Sequence, residues 1–258
     1  MITLLDGETW EHDKILKKMD DDEFYFGHLK TRALSSSSAK LLLKSPKAYK
    51  FAMNYGTEDT PALRAGSLFH WAILEPDVFE KQIFVDVQSR NTKKFKEAKE
   101  EHGRVFTIKE KHDAERLADH FLRNEHAMRL IQDSEFEVAA IGTLPDIDFP
   151  FRGKADVLGK NRIVDLKTTA DIRAFEISAK RKYHYDMQCY IYSHLFDIDY
   201  RNFTFCVIDK ATLDIGIWDC SEEFYLEGKR KVEQAINVYN QFFIKNHDID
   251  SYCLTGTL

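Results

Sequence analysis

Within GKADVLGKNRIVDLKTT, Asp156, Asp165 and Lys167 stand at a spacing that could assemble a phosphodiester-cleaving centre. Side chains alternate between the two faces of a strand, so Asp165 and Lys167 project from the same one. If a four-residue loop, Gly159 to Arg162, joins this strand to the one before it, Asp156 falls opposite Asp165. Their β-carbons would then be about 5 Å apart. Facing carboxylates repel unless something positive lies between them. Mg²⁺ meets that need, because it takes a few carboxylates together with waters and phosphate oxygens; Mn²⁺ is the alternative ion. Such a centre would polarise a phosphate, lower the pKa of an attacking water and neutralise charge as it develops. Lys167 would orient or deprotonate that water, or hold the anionic transition state.

An acid-x-Lys triplet alone says little. Glu97-Ala98-Lys99 and Glu227-Gly228-Lys229 also fit, but both lie in charged stretches that read as solvated helices. Asp165-Leu166-Lys167 differs because it follows the apolar Ile163-Val164, has a second Asp on the preceding strand and runs into Thr168-Thr169. On the residues alone, an edge-strand ion pair remains the competing reading.

The elements that must position these residues can be read from periodicity. Ser35 to Ser38 predict a capped helix start before AKLLLKSPKAYKFAMN, with a break or kink at Ser45-Pro46. AGSLFHWAILEP (65–76) reads as a short buried helix stopped by Pro76. Residues 89–104 form a charged, exposed helical stretch, and 109–132 an amphipathic helix carrying Leu117, Phe121, Met128 and Ile131. Three strands are expected at 136–145, 151–159 and 162–169, then a helix at 175–196. Phe203, Phe205 and Val207, followed by Leu213, Ile215 and Ile217, predict a hairpin turning near Lys210 to Thr212. A long helix starts at Ser221, with Val232, Ala235, Ile236, Tyr239, Phe242 and Phe243 at helical spacing. The order implies an α/β or α+β fold: a central mixed sheet flanked by helices.

At 258 residues and 43% hydrophobic, the chain can bury a sizeable core. We read it as one domain over 1–258, with residues 1–34 as an amino-terminal extension and the sheet-bearing core at 135–220. No apolar run approaches the roughly 20 residues of a bilayer span, and MITLLDGETWEHDK lacks the basic start of a signal peptide. No membrane association and a cytoplasmic location are therefore expected, with Cys189, Cys206, Cys220 and Cys253 as reduced thiols. The net charge of −6 argues against nucleic acid binding over the whole surface. It leaves room for a local basic channel, because phosphate attraction is screened over about 8–10 Å. Lys44, Lys47 and Lys50, and Lys93, Lys94 and Lys96, could track a phosphate backbone or simply be solvated.

These motifs resemble a known group. GKADVLGKNRIVDLKTT is similar to the core of the PD-(D/E)xK nuclease superfamily, whose fold is the restriction-endonuclease-like one. The chain resembles most its phage and prophage exonucleases of the exodeoxyribonuclease VIII (RecE) type; RecB-like nuclease domains and lambda exonuclease are more distant likenesses. LSSSSAKLLLKSPKAYK, TPALRAGSLFHWAILEPDVF with its Gly66-x-x-x-His70, and YHYDMQCYIY with Gln188-x-x-x-Tyr192 carry the resemblance over residues 33–245. It implies His70, Asp156, Asp165 and the Leu166 carbonyl as metal ligands. Glu137 would be the acid on the strand before the central hairpin, with Glu135 as its competitor. Gln188 and Tyr192, sharing a helix face with Tyr185, would lean on the site or on DNA. In the lambda-type relatives an Arg and a Ser hold the 5′ phosphate, and Arg32 and Ser37 are the nearest matches. The superfamily's Pro is absent, Asp156 following Ala155.

The resemblance implies a metal-dependent exonuclease that resects linear double-stranded DNA from 5′ ends during recombination. It further implies a homo-oligomeric ring and a single-strand annealing partner. A structure-specific or restriction-type endonuclease on the same core is one alternative. A DNA-binding module without catalysis is the other.

Overall fold

The structure, a computed structural model, describes residues 1–255. Two short strands, β1 (Ile2–Thr3) and β2 (Thr9–Trp10), pair antiparallel ahead of helix α1 (His12–Met19). Ile15 and Met19 of α1 join Leu4, Tyr25, Leu29 and Ala33 in an apolar cluster that also takes in Ile141 of the central sheet.

Serine then sets two helix starts. In α2 (Ser36–Lys44), the Ser35 hydroxyl accepts from the Ser38 amide, while the Ser38 hydroxyl accepts from the Ser35 amide, a reciprocal cap. Ser45 ends α2 and caps α3 (Pro46–Tyr55), accepting from the Ala48 amide at 3.0 Å, with Pro46 in the first helical position. The break expected at Ser45-Pro46 is therefore a clean restart. Helix α4 (Pro61–Leu74) begins four residues before the expected 65, on Thr60 as cap and Pro61. It stops before Pro76, which opens the short α5 (Pro76–Glu80).

A parallel two-residue pair, β3 (Phe84–Val85) and β4 (Phe106–Thr107), brackets the exposed α6 (Lys93–His102). The single helix expected over 109–132 is two, α7 (Ile108–Arg123) and α8 (Glu125–Ile131). Asn124 is the cause: its backbone is extended, and its side chain accepts from the His126 and Ala127 amides, each at 3.0 Å. Likewise 175–196 divides into α9 (Phe175–Arg181) and α10 (Tyr185–Leu195), because His184 adopts a left-handed backbone at φ 49°.

The central sheet has five strands in the order β5 (Glu135–Leu144), β6 (Ile147–Gly159), β7 (Arg162–Thr169), β8 (Phe203–Asp209) and β9 (Ile215–Asp219). Only β7 and β8 run parallel, so the sheet is mixed as expected. Leu213 is not part of the final hairpin strand; it sits in the turn at φ 67°, where the Asp209 carboxylate accepts from the Ala211 and Thr212 amides. Helix α11 (Glu222–Tyr239) starts on the Ser221 cap and widens into a five-residue turn, Asn240–Ile244.

Apolar residues cover both sheet faces. One face packs Ile163, Phe203, Phe205 and Val207 beneath α2, α10 and α11. The other packs Val157, Val164, Leu166, Cys206 and Ile208 against Phe69 and Ile73 of α4 and Leu117 and Phe121 of α7. The sheet is irregular where its two middle acids lie. β6 pairs with β7 only over Val157, Leu158 and Gly159, so the two strands part just before Asp156. Further along β6, Leu34 takes the free edge, donating to Pro150 O and accepting from the Arg152 amide. That bridge sets Ser35 and the start of α2 beside the gap.

Candidate active site

The expected register is realised at the hairpin: Gly159 pairs with Arg162, and the pairs Leu158–Ile163 and Val157–Val164 bring Asp156 to the level of Asp165. Where the ladder ends, a side chain replaces it. Asp156 Oδ2 accepts from the Leu166 amide at 2.7 Å. The Leu166 carbonyl, on the same edge of β7, meets His70 Nε2 at 2.7 Å, and His70 Nε2 lies 3.7 Å from Asp156 Oδ2. His70 reaches this point from α4, whose Phe69 and Ile73 are anchored in the core against the sheet.

Glu137 completes the group. On β5 the ladder pairs Phe136 with Val157 and Val138 with Ala155, leaving Glu137 opposite Asp156. Its backbone is left-handed, at φ 51°, an uncommon state for a glutamate in mid-strand. Ligand atoms of His70, Glu137 and Asp156 all lie within 4.8 Å of one another. Glu135 pairs with Leu158 two residues away and is not in the group.

These residues can hold a metal ion. Neighbouring ligands on an octahedral ion with 2.0–2.1 Å bonds stand about 3 Å apart, close to the 2.7 Å and 3.7 Å separations here. Two carboxylates, an imidazole and a carbonyl form a hard, largely oxygen donor set suited to Mg²⁺ or Mn²⁺. Electrostatics agree: burial, with the Asp156 and Glu75 carboxylates nearby, pushes the Glu137 carboxyl up to about 8. A cation would relieve that crowding.

Asp165, 1% exposed, faces α10 instead. Its Oδ1 accepts from Gln188 Nε2 at 2.5 Å, and its Oδ2 pairs with the Lys167 ammonium. Burial pushes the Asp165 carboxyl up to about 6 despite that lysine. Burial also works against the Lys167 charge, but Asp165 and Asp156 outweigh it and hold its pKa above the ordinary lysine value. One helical turn beyond Gln188, the Tyr192 hydroxyl accepts from the Lys154 amide at 3.3 Å. A Cβ on Gly153 would come within 2.7 Å of the Tyr192 ring, so glycine is what admits that ring to β6.

The group therefore has two halves. His70, Glu137, Asp156 and the Leu166 carbonyl gather in the gap between β6 and β7; Asp165, Lys167 and Gln188 line its α10 side. The family described as "PDDEXK-like domain of unknown function (DUF3799)" matches residues 35–253. The chain belongs to this family. The PDDEXK-like match bears out the resemblance drawn from GKADVLGKNRIVDLKTT, and the mixed sheet flanked by helices is the architecture that resemblance implied. A Eubacterium rectale protein named as a candidate exonuclease shares the fold at a TM-score of 0.63 and 18% identity, over 92% of this chain and 95% of that one. A phage-related exonuclease from Haemophilus somnus 129PT aligns over 83% of this chain and 96% of that one, but its TM-score of 0.36, at 16% identity, carries no weight. No curated protein matches the chain.

Other expected positions fall outside the PDDEXK-like centre's contacts. Arg32 is engaged with Asp6 at 2.5 Å and with the His28 carbonyl at 2.9 Å. Ser37 is exposed in the first turn of α2. Glu97-Ala98-Lys99 and Glu227-Gly228-Lys229 lie in α6 and α11, helices as read. Two charged groups near the centre escaped sequence reasoning. Glu75 ends α4, and its carboxyl is raised by burial. Lys40 of α2 lies 4.9 Å from the centroid of the Tyr185 ring, and Lys167 lies 5.0 Å from it. A lysine set between Ala39 and the run Leu41 to Leu43 was the available signal, and Lys44 and Lys50 on nearby turns masked it. Among the described residues no helix is long and apolar enough to cross a membrane.

Proposed function

We propose that this PDDEXK-like protein is a metal-dependent exonuclease of linear double-stranded DNA, working from 5′ ends in the RecE manner. The observation that supports it most is the gathering of His70, Glu137, Asp156 and the Leu166 carbonyl beside Asp165, Lys167 and Gln188. His70, Asp156, Asp165 and the Leu166 carbonyl are the ligands of this reading, Asp165 turning toward the ion from the Gln188 and Lys167 contacts it makes without one, and Mg²⁺ or Mn²⁺ is the ion. Once bound, the ion supplies Lewis acidity to a phosphate oxygen and acidity to a water. Lys167 orients that water or holds the charge on the phosphate. Gln188 fixes the Asp165 carboxylate, and Tyr192 fixes the strand at Lys154. Glu137, its carboxyl raised to about 8, holds a proton in the ion-free chain and becomes a base at the centre once a cation has displaced that proton. The rest of the reading is a single cytoplasmic nuclease domain in a bacterial or phage-infected cell. It would be assembled as a ring around duplex ends and partnered by a single-strand annealing protein.

The test uses a linear duplex labelled separately at each end, with and without a 5′ phosphate, and a closed circle of the same sequence. Loss of the 5′ label first, with the circle spared and EDTA blocking all digestion, is the expected result. Cutting of the circle would replace this reading with an endonuclease. DNA binding without digestion in Mg²⁺ or Mn²⁺ would leave only a binding module.

A further inference from the structure

A second set of groups continues the site on its α10 side. Lys40 and Lys167 flank the Tyr185 ring at 4.9 and 5.0 Å, and Tyr183 stacks on Tyr185 at 5.3 Å with the ring planes 21° apart. Lys182 lies 5.1 Å from the Tyr183 ring and is exposed, as is Tyr183 itself. The two rings stack although they are only two residues apart, because His184 between them holds a left-handed backbone. Lys167 is matched by Asp165, but among the described residues Lys40 has no carboxylate partner within ion-pair distance. Burial and the Lys167 charge lower the Lys40 pKa to about 7, and a phosphate beside it would favour its charged form.

Cations alternating with stacked aromatic rings are the means by which proteins hold single-stranded nucleic acid: phosphates meet the ammonium groups and bases lie on the rings. The Tyr185 ring that Lys40 and Lys167 share makes this shelf contiguous with Lys167. We infer that Lys40, Tyr183 and Lys182 form a track for one DNA strand next to the scissile phosphate, with Lys40 contacting a phosphate beside it and Tyr185, stacked between Phe205 and Tyr183, as the floor of the track. This assignment rests on the nuclease reading and adds to it where one strand lies and which side chains hold it.

The test measures binding of a short fluorescent single-stranded oligonucleotide in Ca²⁺ over a range of salt, and steady-state digestion of a linear duplex in Mg²⁺. Lys40→Ala and Tyr183→Ala are compared with Lys40→Arg and with a distant control, Lys109→Ala, in α7 on the opposite side of the sheet from α10. Lys40→Ala is expected to weaken binding and to make the slope of log K against log salt shallower by about 0.7. KM should rise more than kcat falls, Lys40→Arg should restore binding, and Lys109→Ala should behave as wild type. Tyr183→Ala, at an exposed position, should weaken binding by roughly 5- to 100-fold, the effect of losing one stacked base. Unchanged melting temperatures exclude a folding defect. Wild-type affinity and slope in both Lys40→Ala and Tyr183→Ala, while the wild type digests DNA, would overturn the track and leave the nuclease reading intact. A wild-type protein that neither binds nor digests DNA would overturn both.

Discussion

The carboxylates and Lys167 are more telling at residue scale than their types suggest, because the fold makes each dependent on a partner. Asp156 closes the ladder where β7 leaves β6, Asp165 is held by Gln188 and Lys167, and Glu137 sits in a strained backbone among like charges. Asp156→Asn should abolish the stabilisation by Mg²⁺ together with digestion. Lys167→Met should retain the Mg²⁺ stabilisation but lower kcat by about 10²- to 10³-fold. Thermal shift and steady-state rates on the same preparations separate the two. Proton linkage gives a further expectation. With its carboxyl pushed from 4.5 up to about 8, folded Glu137 keeps a proton that the unfolded chain has released. Its contribution to stability is therefore present below pH 4.5 and is lost as the pH rises to about 8. A bound cation displaces that proton, so the Mg²⁺-induced rise in melting temperature should grow across this window. Glu137→Gln should flatten it. An equal Mg²⁺ effect at both ends of the window in wild type would count against Glu137 as part of the ion's surroundings.

At the scale of elements, helices α4 and α10 deliver the side chains and small residues decide how closely they approach. The Tyr192 ring leans on Gly153, where a Cβ would meet it at 2.7 Å. Gly153→Ala should cost about 1–3 kcal/mol and disturb the helix that carries Gln188, so stability to denaturant and kcat should fall together. Gly66, one turn before His70 in α4, is the opposite case: a Cβ there meets nothing within 4 Å. Relieved of glycine's entropy, Gly66→Ala should stabilise the chain by about 1 kcal/mol. If a DNA backbone passes over that turn, digestion should nonetheless slow. Stability and rate moving in opposite directions, read by chemical denaturation and by KM, is the outcome that assigns Gly66 to substrate clearance rather than packing.

For the whole molecule, a net charge of −6 places any attraction for DNA in local groups rather than in the overall field. Saturating Mg²⁺ at about 100 times its Kd should add about 2.7 kcal/mol of stability and roughly 5–10 °C to the melting temperature, reversed by EDTA. The sequence by itself determined the strands and turn of the central hairpin, the serine-capped start of α2, the start of α11 at Ser221 and the break at Pro46. Each of these is set by alternation, capping or a ring constraint acting within a few residues. The same local period cannot separate Glu135 from Glu137, since residues two apart share a strand face. Nor did it show that Asn124 and His184 would divide two helices, or that Leu213 would leave its strand. Only the tertiary structure chose Glu137, by the left-handed backbone that leaves it opposite Asp156. It alone carried His70 to a carbonyl 96 residues away and Lys40 to the ring it shares with Lys167. Those encounters depend on packing across both faces of the sheet, an energy that no short window of sequence contains.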